Sequence, residues 1–116
     1  MSDMLKQVGQ LFIVGFPGPE PPRPFLKFLS ESQIGGVILF EENCPSYGAV
    51  RNTIGHVRQC LNVAAPFIAI DQDGGRVSRL RGAPAEIRSA AEYGAEKSVE
   101  KFREEYRRSV VFMESL

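Results

Sequence analysis

The chain has 116 residues, of which 43% are hydrophobic and 24% are charged, a composition typical of one small soluble domain rather than of a disordered chain. Its 14 Lys and Arg residues balance its 14 Asp and Glu residues. The zero net charge argues against a nucleic-acid-binding protein, which needs a basic excess to offset phosphates, and against a Lys-rich helix on a membrane surface. His56, Cys44 and Cys60 do not have the spacing of a zinc site, so we predict no metal and no cofactor.

Three short apolar runs predict three β-strands. They are Leu11–Phe16 (LFIVGF), Gly36–Phe40 (GVILF) and Phe67–Ile70 (FIAI), and none alternates with polar residues. Continuous apolar strands are typical of a parallel sheet that is covered on both faces. The first run is too short for a signal-peptide core or a membrane span, so we expect a cytoplasmic protein with reduced thiols.

Helical periodicity fills the segments between and after these strands. Pro24–Gln33 and Val50–Val63 each place apolar residues on one stripe, and both are long enough for the crossover between parallel strands. The order predicts consecutive right-handed βαβ units and therefore an α/β fold. The last segment, Glu96–Leu116, predicts an amphipathic helix with a Glu104–Arg108 pair. Its apolar face consists of Val99, Phe102, Tyr106, Val110 and Met113.

The predicted sheet is incomplete. Three parallel strands leave two unpaired edges, which natural folds avoid, and the sequence stops within the last predicted helix. We therefore expect residues 1–116 to form the opening part of a longer fold.

Polar residues crowd the end of the third predicted strand. Asp71 follows the apolar run directly, Asp73 comes next but one, and a Gly-Gly pair precedes Arg76, Arg79 and Arg81. Ligands of parallel α/β sheets bind at the carboxyl ends of the strands, where a carboxylate can accept hydrogen bonds from two neighbouring sugar hydroxyls. The glycines allow positive φ and close backbone approach, and the arginines supply positive charge. The alternative is structural: Asp71 caps a turn, while the arginines pair with Asp73 or face water.

Three segments resemble the beginning of glycoside hydrolase family 3, and its bacterial β-N-acetylhexosaminidase branch above all. They are QLFIVGFPG, IGGVILFEEN and PFIAIDQDGGRVSRLRG, and in that branch the third strand ends in Asp-x-Glu-Gly-Gly-Arg-Val-x-Arg. The resemblance implies a (β/α)8 barrel, a fold of about 250 residues. Residues 1–116 would then be the N-terminal portion of that barrel, with its first three strands and their covering helices. The implied activity is retaining hydrolysis of terminal N-acetylglucosamine from cell-wall-derived glycans.

The resemblance also implies roles for individual residues. The aspartate that matches Asp71 binds hydroxyls of the sugar in the −1 subsite, and the arginine that matches Arg79 contacts the substrate. Arg76 resembles a buried partner that orients the loop. Two positions depart from the family: Asp73 replaces the usual Glu, which is one methylene longer, and Arg88 stands where proline is more common.

The family's catalytic segments do not occur in this sequence. Neither the Lys-His-Phe-Pro-Gly-His-Gly segment with the histidine of the acid/base dyad nor the later aspartate nucleophile is present, and retaining hydrolysis needs both groups. We expect His56 to be a solvated surface residue. The chain alone should therefore bind a carbohydrate without turnover, and should self-associate through its strand edges or pair with the remainder of the barrel. Two alternatives stay open: a stand-alone, non-enzymatic sugar-binding or self-assembling module, and a small domain with an anion site at the Gly-Gly-Arg turn.

Overall fold

The computed structural model describes residues 3–82 and 84–116. Within them the chain forms, in order, α1 (Asp3–Gly9), β1 (Ile13–Val14), α2 (Arg23–Ser32), β2 (Gly36–Leu39), a 3-10 helix (Glu41–Asn43), α3 (Tyr47–Cys60), β3 (Phe67–Ile70), α4 (Ala90–Glu96) and α5 (Val99–Glu114). The chain divides into two compact units, the first ending at Ile70 and the second beginning at Asp71. Among the described helices, none is long and apolar enough to cross a bilayer.

The first unit contains a parallel sheet in the order β1-β2-β3. The register pairs Ile13 with Gly36, Gly36 with Phe67, and Leu39 with Ile70. A helix lies in the chain between each pair of successive strands, as parallel pairing requires. The predicted α/β fold class and the order of the predicted strands are confirmed.

The core of this unit centres on the middle strand. Val37 and Leu39 of β2, the central strand, share one face of the sheet and are fully or almost fully buried. Helix α2 adds Leu29 to the core, and α3 adds one apolar stripe, formed by Val50, Ile54 and Val57. The predicted 3.6-residue period of α3 therefore marks the face that packs inwards.

The edge strands are less covered than their apolar sequences predict. β1 is shorter than the predicted run, and Leu11 just before it is 82% exposed. On the other edge, Phe67 of β3 is 68% exposed. Within the described residues, each of these two strands also has a hydrogen-bonded neighbour on one side only.

The second unit contains two helices where the sequence predicts one. Lys97 caps the C-terminus of α4 with a left-handed φ of 54°, and Ser98 caps the N-terminus of α5 by accepting a hydrogen bond from the Lys101 amide. The expected apolar face of α5 does not become its buried face, since Val99, Phe102, Tyr106 and Val110 are all at least 37% exposed. The buried position is Ser109, whose hydroxyl donates to the Ala85 carbonyl at 2.6 Å.

Candidate functional site

Asp71 follows the last residue of β3, as predicted. Its Oδ2 accepts a hydrogen bond from Nη2 of Arg79 at 2.8 Å, which makes a charge-assisted ion pair. The side chains of Asp71 and Arg79 are 28% and 18% exposed, so solvent still reaches both. A carboxylate offers about four acceptor positions, so this bond leaves capacity for hydroxyl donors. The structure therefore brings together the two residues that the sequence predicts to bind substrate.

Gln72 organises the loop beyond β3, and the sequence pattern does not predict this. Its Oε1 accepts from the amides of Arg79 at 2.7 Å and Leu80 at 3.1 Å. Its Nε2 donates to the Ser78 hydroxyl at 3.1 Å and to the carbonyls of Leu80 at 3.0 Å and Ala85 at 3.4 Å. The available signal was a neutral amide between two carboxylates directly after an apolar strand.

The Gly-Gly pair makes a tight turn, as predicted. Gly74 and Gly75 have φ values of 90° and 58°, and the amide of Gly74 donates to the Val77 carbonyl at 2.9 Å. A Cβ on Gly74 would lie 2.3 Å from the carbonyl oxygen of Arg88, and Gly75 donates to the Ile87 carbonyl at 3.0 Å. The close backbone approach that the glycines permit is thus an approach to the chain's own next segment.

The structure corrects the prediction for Arg76. We expected a buried partner that orients the loop, but the Arg76 side chain is exposed. The reason is the turn closed by Gly74 and Val77, because residues at the corner of a tight turn point away from it. Asp73 and Arg81 are exposed as well. Arg79 pairs with Asp71 rather than with Asp73, so that part of the structural alternative is not supported.

Arg88, the residue in place of the expected proline, is the centre of a second charged cluster. Its Nε bonds to Oε2 of Glu105 at 3.1 Å, its Nη1 bonds to Oε1 of Glu96, and its guanidinium carbon lies 4.6 Å from the centre of the Tyr93 ring. The Tyr93 hydroxyl donates to the same Glu105 oxygen at 2.5 Å, and Lys101 lies 3.3 Å from Glu96. We call these five residues the Arg88 cluster.

The pKa values within the Arg88 cluster favour a structural role. The hydrogen bonds that Arg88 donates to Glu96 and then to Glu105 raise the pKa of Arg88, while the bond from Tyr93 is the main cause that lowers the pKa of Glu105. The bond from Arg88 lowers the pKa of Glu96, and burial raises that of Tyr93. Each shift moves the pKa of its group further from 7. A general acid or base needs the opposite, a pKa close to the pH at which it works.

Asn43 fixes the segments that follow the first two strands. It is fully buried, its Oδ1 accepts from the Phe40 amide at 2.8 Å, and its Nδ2 donates to the carbonyls of Phe16 at 3.0 Å and Gly18 at 2.7 Å. These bonds join the residues after β2 to the residues after β1. The sequence pattern does not predict this role, although Asn43 closes one of the three segments quoted above.

The described residues do not add a catalytic histidine or a metal site to the Asp71–Arg79 pair. His56 is exposed on α3, which confirms that it is a surface residue. Within residues 3–82 and 84–116, no group of three or more His, Cys, Asp and Glu side chains is placed to hold a metal ion. What the Asp71–Arg79 pair can offer a polar ligand is the remaining acceptor capacity of the Asp71 carboxylate beside the positive charge of Arg79.

Comparison with known proteins gives sequence relatives and similar structures, but no family model matches the chain. It is 35% identical over 92 residues to an uncharacterised secreted glycosyl hydrolase of Arthroderma benhamiae, across 72% of this chain and 25% of that protein. It is 28% identical over 88 residues to a β-hexosaminidase of Xanthomonas campestris pv. campestris, across 73% of this chain and 25% of that protein. The chain thus spans about a quarter of the length of the curated relatives it matches.

The fold also matches solved structures. One is a glycoside hydrolase family 3 β-N-acetylglucosaminidase from Paenibacillus sp., with a TM-score of 0.75 and 28% sequence identity. The match covers 86% of this chain and 20% of that one. A β-N-acetylhexosaminidase from Beutenbergia cavernae matches with a TM-score of 0.67 and 26% identity, over 82% of this chain and 30% of that one.

Proposed function

Because this chain is related in sequence and in fold to the β-N-acetylhexosaminidases of glycoside hydrolase family 3, we propose that it carries part of the sugar-binding site of such an enzyme. The proposed substrate is a glycan with terminal N-acetylglucosamine, derived from cell walls and cleaved with retention. Asp71 and Arg79 bind the sugar, and the groups that cleave it lie outside the 116 residues.

The Asp71–Arg79 ion pair directly after β3 is the observation that carries this proposal. At 2.8 Å, the guanidinium orients the carboxylate and offsets its charge. The remaining lone pairs of Asp71 suit two adjacent hydroxyls of a pyranose, and the positive charge of Arg79 beside them suits a ligand oxygen. The match to N-acetylhexosaminidases makes N-acetylglucosamine the favoured ligand.

Arg79→Ala tests the binding site. In an NMR titration with N-acetylglucosamine, we expect this variant to lose about 1.5–3 kcal/mol of binding free energy, which is what a hydrogen bond to a charged group contributes. Arg76→Ala is the matched control, because Arg76 is an exposed arginine of the same loop. Equal affinities of the wild type and Arg79→Ala would remove Arg79 from the site.

The absence of turnover is a separate expectation. Retaining hydrolysis needs a nucleophile and an acid/base group that flank the glycosidic bond. Asp71 and Asp73 lie two positions apart in the segment that follows β3. Both would therefore approach a sugar from the same side instead of flanking its glycosidic bond. We therefore expect no hydrolysis of a fluorogenic N-acetylglucosaminide above the blank. Turnover that Asp71→Ala abolishes would contradict this part of the proposal.

A self-assembling module is the second candidate, and the exposed edge strands favour it. Phe67 on β3 is 68% exposed, and Ile13 on β1 is 47% exposed. Such edges pair readily with other chains, and a lysine on an edge strand opposes that pairing. In sedimentation, the wild type should therefore form concentration-dependent oligomers that Phe67→Lys reduces. Val99→Lys, at another exposed position, on α5, is the control, and a wild type that stays monomeric would exclude this candidate.

A further inference from the structure

The side-chain amide of Gln72 binds the backbone of Arg79 and Leu80 and the hydroxyl of Ser78. Its Oε1 accepts from the Arg79 amide at 2.7 Å and from the next amide, of Leu80, at 3.1 Å. Its Nε2 reaches the Ser78 hydroxyl before Arg79 and the Leu80 carbonyl after it, at 3.1 Å and 3.0 Å. A third contact of Nε2, with the Ala85 carbonyl at 3.4 Å, ties the same loop to the following segment.

Two consecutive residues therefore hold the two ends of Arg79. Asp71 binds the guanidinium at 2.8 Å, and Gln72 binds the backbone amide at 2.7 Å. An arginine side chain has several rotatable bonds, so its head is placed only when its base is also fixed. Both holders lie within the same compact unit as Arg79, so the position of its guanidinium is set inside that unit.

The surroundings of the Gln72 amide require both a donor and an acceptor. Ser78, Leu80 and Ala85 are each at most 2% exposed, so the polar groups they offer lie in a buried environment. A glutamine is the neutral side chain of this length that supplies two N–H donors and a carbonyl acceptor together. Loss of the acceptor leaves the backbone amides of Arg79 and Leu80 without this partner, and the loop must shift to regain water. The Leu80 and Ala85 carbonyls also accept from the hydroxyls of Ser78 and Ser109, so for them the harm comes from a second acceptor placed against them.

We propose that Gln72 is a positioning residue for sugar binding: its amide fixes Arg79 beside Asp71 and thereby sets the affinity of the pair for an N-acetylhexosamine. This inference rests on the proposed function. Gln72 itself does not touch the sugar. It acts through the backbone of Arg79.

Gln72→Glu tests this role, because the substitution preserves size and shape. The ionised carboxylate keeps the acceptor for Arg79 but faces the Leu80 and Ala85 carbonyls with a second acceptor. The protonated form regains one O–H donor. We expect the affinity for N-acetylglucosamine to fall about tenfold at neutral pH, because the second carboxylate oxygen and the two carbonyls are all acceptors and repel one another, and to approach the wild-type value at the same pH on acidification. A thermal melt of the same variant shows whether a lower folded fraction, rather than weaker binding by folded protein, explains the loss.

Gln59→Glu is the matched control, since Gln59 is an exposed glutamine on α3. It should have wild-type affinity at every pH. If Gln72→Glu does not fold, Gln72→Asn replaces it, because the amide is kept but its reach is one methylene shorter. This variant should also bind the sugar more weakly than the wild type. Wild-type affinity of the folded Glu or Asn variant would overturn the inference.

A second readout does not depend on sugar. The NMR signals of the Arg79 guanidinium report its bond to Asp71, and we expect Gln72→Glu to shift and broaden them at neutral pH while Gln59→Glu leaves them unchanged. If the wild type binds no sugar, the proposed function fails and these signals alone decide the positioning role. Unchanged guanidinium signals in Gln72→Glu would overturn it.

Discussion

The second unit contains two arginine–carboxylate sites that differ in how their partners surround them. Exposure does not separate them, since the Asp71 side chain is 28% exposed and the Arg88 side chain is 27% exposed. Arg88 bonds to two carboxylates and stacks on Tyr93, whose hydroxyl shares one of those carboxylates. Asp71 meets Arg79 at the carboxyl end of a strand, with lone pairs still available for a ligand.

The difference shows what separates a structural ion pair from a candidate binding pair. In the Arg88 cluster, the partners come from both α4 and α5, so the cluster links these two helices. The pKa values of its groups are shifted away from 7. In the Asp71–Arg79 pair, the partners come from one loop whose backbone Gln72 fixes. A charged pair suited to a ligand is therefore recognised by its position after a strand and by its spare hydrogen-bonding capacity.

Gly74→Ala should have the largest effect, because Gly74 is where the two sites approach each other. The new Cβ would lie 2.3 Å from the Arg88 carbonyl oxygen, and the φ of 90° is strained for any side chain. We expect a loss of about 1–3 kcal/mol in the free energy of unfolding, measured by denaturant titration. Gly94→Ala is the control, because Gly94 lies within α4 and a Cβ added there would have no atom within 4 Å. It should be neutral or slightly stabilising, and an equal loss in both variants would contradict the close approach.

Acidification should weaken the Arg88 cluster, with a smaller effect. The folded-state pKa values of Glu96 and Glu105 are lowered, chiefly by the hydrogen bonds from Arg88 and Tyr93 respectively. The stability they contribute is therefore present above their ordinary value of 4.5 and is lost as the pH falls through the lower folded values. Glu105→Gln should lower the melting temperature by a few degrees at neutral pH, and this difference should shrink on acidification.

Glu104→Gln is the control for that series, since Glu104 is the exposed neighbour on the same helix. Its melting temperature should follow that of the wild type throughout. A difference between Glu105→Gln and the wild type that does not change with pH would show that the Glu105 charge contributes nothing.

Local patterns in the sequence predicted the strand order, and the family resemblance indicated Asp71 and Arg79 as the residues that contact substrate. Both ends of β3 agree with the apolar run, and Asp71 follows it as expected. The sequence does not predict Gln72, because its partners are mostly backbone groups that are brought near only by the fold. The prediction for Arg76 is wrong because turn geometry, not charge, decides its exposure. In α5, periodicity shows which residues share a face, but Ser109 faces Ala85 while the apolar face stays largely exposed.

Titration of Asp71→Asn with N-acetylglucosamine, beside the wild type and Asp73→Asn, tests the central claim most directly. The amide keeps the size of the side chain but replaces one acceptor oxygen with a donor and removes the charge that Arg79 pairs with. We predict at least about tenfold weaker binding for Asp71→Asn and wild-type binding for the exposed control Asp73→Asn. Wild-type binding by Asp71→Asn would contradict the account.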